Sequence, residues 1–312
     1  MNKMILTVTL NPCIDKTIII DEFKYGGLNR INSVRVDVGG KGINVSKVLK
    51  NFGADVFACG ITAGETGKKV VEFLDSEGIP NLFVHTRGEV RTNYKIVDNK
   101  TKITTELNEP GFYVQQDVVD ACITNIEKML PSTETMVLSG SIPVGVSKDI
   151  YKRLINIAKE YPVKVILDAD GEMLRCGVEA VPYAIKPNLF EFEQLVGRKL
   201  DSHEKIISAA KHYINMGIQQ VIISMGAKGA IFVTGQLAYL ATPFEIECKS
   251  TVAAGDSMVA ALAYGLVQGY DLKTIARLAV SAGTITTTKE GSDVCSLEEV
   301  RKNMPFVILE EL

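Results

Sequence analysis

The run Thr251–Ser257 carries the strongest chemical signal, because small residues and one carboxylate open a long apolar stretch. This composition predicts a helix whose free N–H groups at Ala254, Gly255 and Asp256 converge on a bound anion. Short side chains let a phosphate approach that backbone closely. Asp256 lies in the same turn, where the helix dipole should keep it ionised and able to accept a proton. The alternative is that Asp256 only caps the helix and the small residues only allow close packing.

A second signal, Gly39 to Asn44, lies between a predicted strand and a predicted helix. Its glycines allow close backbone approach, Lys41 offers a cation, and Asn44 offers both a donor and an acceptor. The alternative is an ordinary strand-to-helix turn with an exposed lysine. A dinucleotide fingerprint fails because Val45 stands where its last glycine is needed. A Walker A loop fails because Gly67-Lys68 lacks both the first glycine and the following Ser or Thr.

Two further signals follow later predicted strands. Asn188 and Glu191 lie three residues apart at a predicted helix start, so their side chains share one edge that suits outer-sphere support of magnesium. For this segment alone, a helix cap with a capping-box glutamate is the favoured interpretation. The turn Ser224–Gly229 follows a strand and is a weaker candidate for contacting a nucleotide.

Composition excludes several classes of protein. The 312 residues carry a formal net charge of -3, so no basic excess points to nucleic acid or to a membrane surface. Neither a signal peptide nor an apolar run of about 18 residues is present, which predicts a cytoplasmic protein. The six cysteines are far apart and are expected to be small buried hydrophobes. The three histidines form no cluster, which argues against a zinc site and against histidine as the base.

Apolar strand-like runs alternate with amphipathic stretches along most of the chain, which predicts a parallel sheet covered by helices on both faces. Two regions break this rhythm, at about 14–38 and 93–107. The second reads as a hairpin with its turn at Asp98–Lys100. Together the two regions are expected to form a small β lid inserted in one domain that spans 1–312. Near the end, Gly269 is expected to separate two apolar helices.

Taken together, these motifs resemble the ribokinase-like (PfkB) family of carbohydrate kinases over nearly the whole chain. The segments similar to its phosphosugar branch are Thr9–Asp15, Gly39–Asn44, Arg91–Lys95 and Ser139–Pro143. Lys186–Glu191 resembles the family's Asn-x-x-Glu motif, and Thr251–Ser257 resembles its Gly-Ala-Gly-Asp anion-hole motif. Ala253 departs from that pattern, because it stands where the first glycine is usual. Its methyl group would crowd the backbone if the position requires a positive φ.

The resemblance implies a three-layer α/β/α core with a mainly parallel sheet, and it implies a role for each matching residue. The catalytic group would be Asp256 as general base, with the anion hole formed by Ala253, Ala254 and Gly255. The acceptor would be held by Asp15, Gly39, Gly40, Lys41, Asn44, Arg91, Asn93, Lys95, Ser139 and Arg30. ATP would contact Lys186, Asn188, Glu191, Ser224, Gly226, Ala227 and Gly229, with Asn188 and Glu191 supporting Mg²⁺ through water. The alternative for Arg30, Arg91 and Lys95 is that they are solvated surface charges. The alternative for Asp15 is that it is a turn residue after Pro12.

The activity that this resemblance implies is ATP-dependent phosphorylation of fructose 1-phosphate to fructose 1,6-bisphosphate. Tagatose 6-phosphate, giving tagatose 1,6-bisphosphate, is the nearest alternative acceptor. An unphosphorylated sugar is disfavoured because the lid would then carry unneeded cations. A non-catalytic sugar-phosphate sensor is disfavoured because Asp256 and the Asn188/Glu191 pair are all present. The expected partners are a sugar phosphate, ATP and a second copy of the chain bound through the β lid, with no nucleic acid and no membrane.

Overall fold

A computed structural model of the protein describes residues 4–312. Within these residues the strands are β1 Met4–Thr9, β2 Cys13–Ile20, β3 Ser33–Gly39, β4 Val56–Ala63, β5 Asn81–Thr86, β6 Arg91–Asp98, β7 Thr104–Asn108, β8 Thr133–Ser139, β9 Lys164–Asp168, β10 Ala184–Ile185, β11 Gln220–Ser224, β12 Ala230–Val233, β13 Ala238–Thr242 and β14 Ile308–Glu311. The α-helices are α1 Lys41–Asn51, α2 Gly64–Ser76, α3 Gln116–Met129, α4 Ile150–Ala158, α5 Gly171–Glu179, α6 Leu189–Val196, α7 His203–Asn215, α8 Ala254–Gln268, α9 Leu272–Thr287 and α10 Leu297–Asn303.

The larger sheet has the order β14-β13-β12-β11-β10-β9-β8-β1-β4-β5. All pairings from β11 to β5 are parallel, and β12, β13 and β14 extend the sheet by antiparallel pairing. Helices cover both faces, which confirms the predicted three-layer α/β/α architecture with a mainly parallel sheet. Because the carboxyl ends of parallel strands meet at one edge, the residues that follow β1, β8, β9, β10 and β11 are brought together there.

Helix α8 is almost entirely buried, and α9 packs along it. Its apolar sequence leaves no polar face, which is typical of a helix inside the core of a large domain. The helix ends at Gly269, whose φ of 70° and ψ of 29° are left-handed, so the predicted stop between two helices is correct. Within residues 4–312, none of the helices combines the length and the apolar character that a bilayer crossing requires.

The second sheet has four strands in the order β3-β2-β6-β7 and corresponds to the predicted lid. β2 pairs with β6 in parallel, and both outer strands pair antiparallel. The turn at its far end is longer than predicted, because β6 ends at Asp98 and β7 begins only at Thr104. The Asp98 carboxylate explains the longer loop, since it accepts hydrogen bonds from the backbone N–H groups of Lys100, Thr101 and Phe23 at 2.8–2.9 Å.

All six cysteines are free thiols, in agreement with the absence of a disulfide framework. Four are buried, at Cys13, Cys59, Cys122 and Cys295. The expectation of burial is wrong for Cys248, which is exposed, and incomplete for Cys176, which is half-buried.

Candidate active site

Helix α8 begins where the sequence predicts, but the N–H of Ala254 is not free, because it donates to Thr251 O at 3.4 Å. One residue at this helix end is strained. Ala253 precedes the helix at φ 59° and ψ 2°, a left-handed conformation that a side chain disfavours. The first hydrogen bond of this helix runs from Ser257 N to Ala253 O at 2.8 Å. The N–H groups of Gly255 and Asp256 therefore precede the helical ladder and are free to bind an anion.

The Asp256 side chain is buried, with 7% of its surface exposed. Its Oδ2 accepts a hydrogen bond of 2.8 Å from Asn44 Nδ2. Burial raises the pKa of Asp256 to about 6, and the neighbouring Asp168 carboxylate adds to the rise, while Lys41, Asn44 and Lys186 oppose it. Burial therefore outweighs the helix dipole in setting the pKa of Asp256, although a carboxyl with a pKa of about 6 is still mostly ionised at pH 7. A pKa near neutrality suits a general base.

One cleft of 220 Å³ lies between the lid and the amino end of α8. It brings together most of the residues predicted to hold the acceptor, and its lining includes Asp15, Gly40, Lys41, Asn44, Arg91, Asn93, Lys95, Ala253 and Asp256. The lid residues are already ordered, since Asp15 accepts hydrogen bonds of 3.1 Å from both Asn93 Nδ2 and Lys95 Nζ. Hence Asp15 is a buried partner of an amide and a cation, and not merely a turn residue.

Two glycines of the second motif are required by the backbone. Gly40 has a φ of 121°, which L side chains rarely adopt. A Cβ atom on Gly39 would lie 2.8 Å from Asp15 Oδ2, so a side chain there would displace the carboxylate from the cleft. The glycine at position 39 is therefore required, because the end of β3 lies directly beside the Asp15 carboxylate on β2.

Three predicted acceptor residues have different surroundings. Arg30 is exposed in the segment between β2 and β3 and does not line the cleft of its own chain. Ser139 ends β8 and is buried, and its Oγ has no hydrogen-bond partner among residues 4–312. Arg91 lines the cleft, and its buried Nε likewise lacks a partner in the described part of the chain. Arg91 is therefore available to bind an anion.

A second cleft of 740 Å³ lies on the other side of the same helix end. Of the residues predicted to bind ATP, it is lined by Asn188, Ser224, Gly226, Ala227 and Gly229. Its remaining lining includes apolar side chains at Phe244, Ile246, Met258 and Val280 and polar ones at Glu245, Thr251, Thr284 and Thr287. This combination of an apolar chamber and a few polar groups is typical of a site for a flat aromatic ring with a polar tail.

Asn188 and Glu191 form the capping box that the motif alone favours. Asn188 Oδ1 accepts from Glu191 N, and Glu191 Oε2 accepts from Asn188 N, each at 2.8 Å. The second oxygen of Glu191 and the amide nitrogen of Asn188 remain available, so capping does not preclude a role beside the cleft. Residues 4–312 contain no group of three or more His, Cys, Asp or Glu side chains placed to hold a metal directly.

Asp168, which the sequence patterns do not single out, links the two lysines of the site. It ends β9 and is buried, with Lys186 Nζ 3.2 Å from Oδ1 and Lys41 Nζ 3.5 Å from Oδ2. Burial alone would raise the pKa of Asp168, but the attraction of Lys186 and Lys41 outweighs it and lowers that pKa. Lys186 itself is buried and does not line the larger cleft, in which it was predicted to contact ATP.

Several other residues that line the two clefts were not identified from the sequence. Glu106 and Asn108 on β7 lie opposite Lys95 and Asn93 in the lid sheet and line the acceptor cleft. Thr251 lines both clefts, and Cys248 lines the larger cleft of 740 Å³. The alternation along β7 could have indicated which residues face inward, but only once its partner strand was known.

Comparisons with known proteins agree with this geometry. Residues 8–299 match the model of the pfkB family carbohydrate kinases. The chain is 36% identical to the 1-phosphofructokinase of Borreliella burgdorferi over 310 residues, which is 99% of each chain. A structure of Escherichia coli phosphofructokinase-2 in complex with fructose-6-phosphate has a TM-score of 0.90 at 27% identity, covering 97% of this chain and 98% of that one.

A structure of a possible 1-phosphofructokinase from Thermotoga maritima has a TM-score of 0.90 at 30% identity, covering 99% of both chains. The likeness extends over the lid as well as the core, because both structural matches span nearly the full length of this chain. The family assignment also agrees with the clefts on either side of the α8 amino end. The chain therefore belongs to the pfkB family of carbohydrate kinases.

Proposed function

We propose that this protein transfers the terminal phosphoryl group of ATP to fructose 1-phosphate, giving fructose 1,6-bisphosphate. The observation that carries the proposal is the position of the α8 amino end between the two clefts. Ala254 and Gly255 line the larger cleft, whereas Ala253 and Asp256 line the smaller one. A donor on one side and an acceptor on the other would thus meet at free backbone N–H groups.

In this proposal Asp256 is the general base for the acceptor hydroxyl. It accepts the hydroxyl proton as the oxygen attacks the terminal phosphorus, and the bond from that phosphorus to the ADP oxygen breaks. Phosphoryl transfer has a loose transition state, so the protein mainly positions the reactants and stabilises charge. The N–H groups of Gly255 and Asp256 would donate to the migrating group, and Lys186 Nζ lies 3.6 Å from where a Cβ on Gly255 would stand.

The lid explains the choice of an already phosphorylated acceptor. Arg91, Lys95 and Lys41 contribute three cations to the acceptor cleft, of which Lys95 is paired with Asp15 and Lys41 with Asp168. Arg91 lines this cleft, and its guanidinium would bind the phosphate that the sugar already carries. The remaining lid groups, Asp15 and Asn93, would bind sugar hydroxyls. A neutral sugar would leave the guanidinium of Arg91 without an anion.

Mg²⁺ is proposed to enter with the nucleotide. The available groups fit a hard cation that keeps its waters, because Glu191 offers a free carboxylate oxygen and Asn188 lines the nucleotide cleft. Bound Mg²⁺ would neutralise charge on the ATP phosphates. The protein's part would be to orient the waters of that ion through Asn188 and Glu191.

The test is a coupled assay of ADP release with fructose 1-phosphate, tagatose 6-phosphate, fructose 6-phosphate and free fructose. Fructose 1-phosphate should give the highest kcat/KM. Fructose 6-phosphate is the second candidate acceptor, because the E. coli relative with a TM-score of 0.90 binds it. A preference of tenfold or more for another acceptor, about 1.4 kcal/mol of discrimination in the transition state, would overturn the assignment.

A homodimer that buries the lid is the proposed assembly. One face of the lid sheet lines the acceptor cleft, and the other carries the cross-strand row Val36, Lys16, Tyr94 and Leu107. Val36 is 58% exposed and Leu107 is 56% exposed. An isolated small sheet with an exposed apolar face is marginal in water, so a second lid is the natural partner for it.

Sedimentation should therefore show a dimer, and Val36→Lys should shift it toward monomers. Leu82→Lys is the matched control, because Leu82 is an exposed apolar residue on β5 of the main sheet. A monomer at micromolar concentration would refute the shared lid. The single kinase domain over 1–312 and the cytoplasmic location also remain predictions, which limited proteolysis and cell fractionation would test.

A further inference from the structure

Asp168 is the most enclosed carboxylate near the site, and the proposed reaction gives it no direct part. It is 1% exposed at the carboxyl end of β9, and the groups opposite its two oxygens are the ammonium groups of Lys186 and Lys41. These lysines come from separate elements, since Lys41 begins α1 and Lys186 follows β10. A single buried carboxylate thus connects three elements of the sheet edge.

Both lysines reach the place where phosphate charge would move. Lys186 Nζ lies against the first turn of α8, 3.6 Å from where a Cβ on Gly255 would stand. Lys41 lines the acceptor cleft together with Asp256. Lys186 is 5% exposed, so without a fixed anion its charge would be costly to bury. Asp168 supplies that anion before any phosphate is bound.

We propose that Asp168 is a positioning residue that holds the ammonium groups of Lys41 and Lys186 on the two sides of the α8 amino end. Each lysine can then donate to phosphate oxygens without first being ordered. The proposal rests on the proposed function, because it assigns the lysines to a migrating phosphoryl group. It concerns a residue that would never touch the substrate.

The charges around Asp256 provide an independent readout. The groups that face it are Asp168 from β9, Lys41 from α1 and Lys186 after β10, with the lid residues Asp15, Arg91, Lys95 and Glu106 across the acceptor cleft. Burial is the main cause of the raised pKa of Asp256, and Asp168 is the next. In Asp168→Asn, that repulsion is lost, while the attraction of Lys41 and Lys186 for the Asp256 carboxylate remains. The pKa of Asp256 should therefore fall.

The test combines Asp168→Asn with two measurements. First, carboxyl-carbon NMR titration of the unliganded protein should show the pKa of Asp256 falling by about one unit. Second, kcat with fructose 1-phosphate should drop about ten- to a hundredfold, the size expected for a charge-assisted contact, with the acid limb of its pH profile moved to lower pH. Asp170→Asn, an exposed carboxylate two residues along the same loop, should change neither quantity appreciably.

An unchanged pKa of Asp256 would mean that the Asp168 charge does not act at the α8 amino end, and that result would overturn the proposal. Because loss of the Asp168 charge lowers this pKa whatever its role, a double variant is what separates positioning from a purely structural role. The variant Lys186→Met provides a second background for Asp168→Asn, in case the single variant does not fold. In the Lys186→Met background, Asp168→Asn should cost a smaller fold loss of kcat, whereas equal losses in both backgrounds would contradict positioning. If the wild type phosphorylates no sugar phosphate, the proposed function fails, and the NMR titration still decides whether Asp168 controls Asp256.

Discussion

Replacing Asp256 by Asn should make the protein more stable while it abolishes most of the activity. In the folded protein the pKa of Asp256 is raised from 3.8 to about 6, chiefly by burial and secondly by Asp168. At about 1.36 kcal/mol per pKa unit, this rise corresponds to about 3 kcal/mol of penalty for ionising the buried carboxylate. Asn carries no charge and can still accept the hydrogen bond from Asn44, but its amide adds an unpaired donor that costs about 1 kcal/mol. The expected net gain is about 2 kcal/mol.

The gain must depend on pH in a defined direction. Above about pH 6 the carboxylate is ionised in both the folded and the unfolded state, so the wild type pays the full penalty. Below about pH 4 the group is protonated in both states, and the penalty disappears. Urea unfolding at pH 7.5 and at pH 4 measures both values. A variant that is no more stable than wild type at pH 7.5 would refute the assigned environment of Asp256.

The same variant tests the base. Its kcat should fall about 10²- to 10⁴-fold, while the binding of ATP and of the sugar phosphate stays within a few fold. In the wild type, kcat should rise with pH through about 6, because only the ionised carboxylate can accept the proton. If Asp256→Asn kept more than a tenth of the wild-type kcat, Asp256 would be a helix cap and the proton would leave to solvent.

Three further perturbations test other parts of the site. Arg91→Ala should raise the KM for sugar phosphate about 10- to 100-fold and spare the KM for ATP, because a charge-assisted contact is lost; an unchanged sugar KM would make Arg91 a surface charge. Ala253→Gly should add about 0.5–1 kcal/mol of stability by removing left-handed strain, whereas Gly269→Ala, at φ 70°, should remove a similar amount; equal stability in the first variant would contradict that strain. ATP should slow alkylation of Cys248 but not of the half-buried Cys176, and equal rates with and without ATP would place the nucleotide elsewhere.

Those parts of the protein that depend on local patterns were predictable from the sequence. The alternation of strands and helices indicated the layered core, and the small residues before α8 indicated its exposed amides. The residues Gly39 to Asn44 were recognisable because tight turns between a strand and a helix demand glycine. These features depend on short stretches of chain, where the backbone itself limits the choice of residue.

Parts that depend on contacts between distant elements were not predictable. Asp168 is a single charged residue at a strand end, and nothing near it in sequence shows that Lys41 and Lys186 converge on it. The pKa of Asp256 was misjudged because the helix end is visible in sequence, whereas its burial and the Asp168 charge are not. Arg30 was grouped with the acceptor residues by its charge, yet the structure leaves it exposed outside the cleft of its own chain.

The central claim is that phosphoryl transfer to a sugar phosphate occurs at the amino end of α8. The most direct measurement is ³¹P NMR of the protein incubated with Mg-ATP and fructose 1-phosphate. We expect one fructose 1,6-bisphosphate for each ADP formed, with both products forming about 10²- to 10⁴-fold more slowly when Asp256→Asn replaces the wild type. ADP formation without the bisphosphate, or no turnover by a protein that binds both ligands, would contradict it.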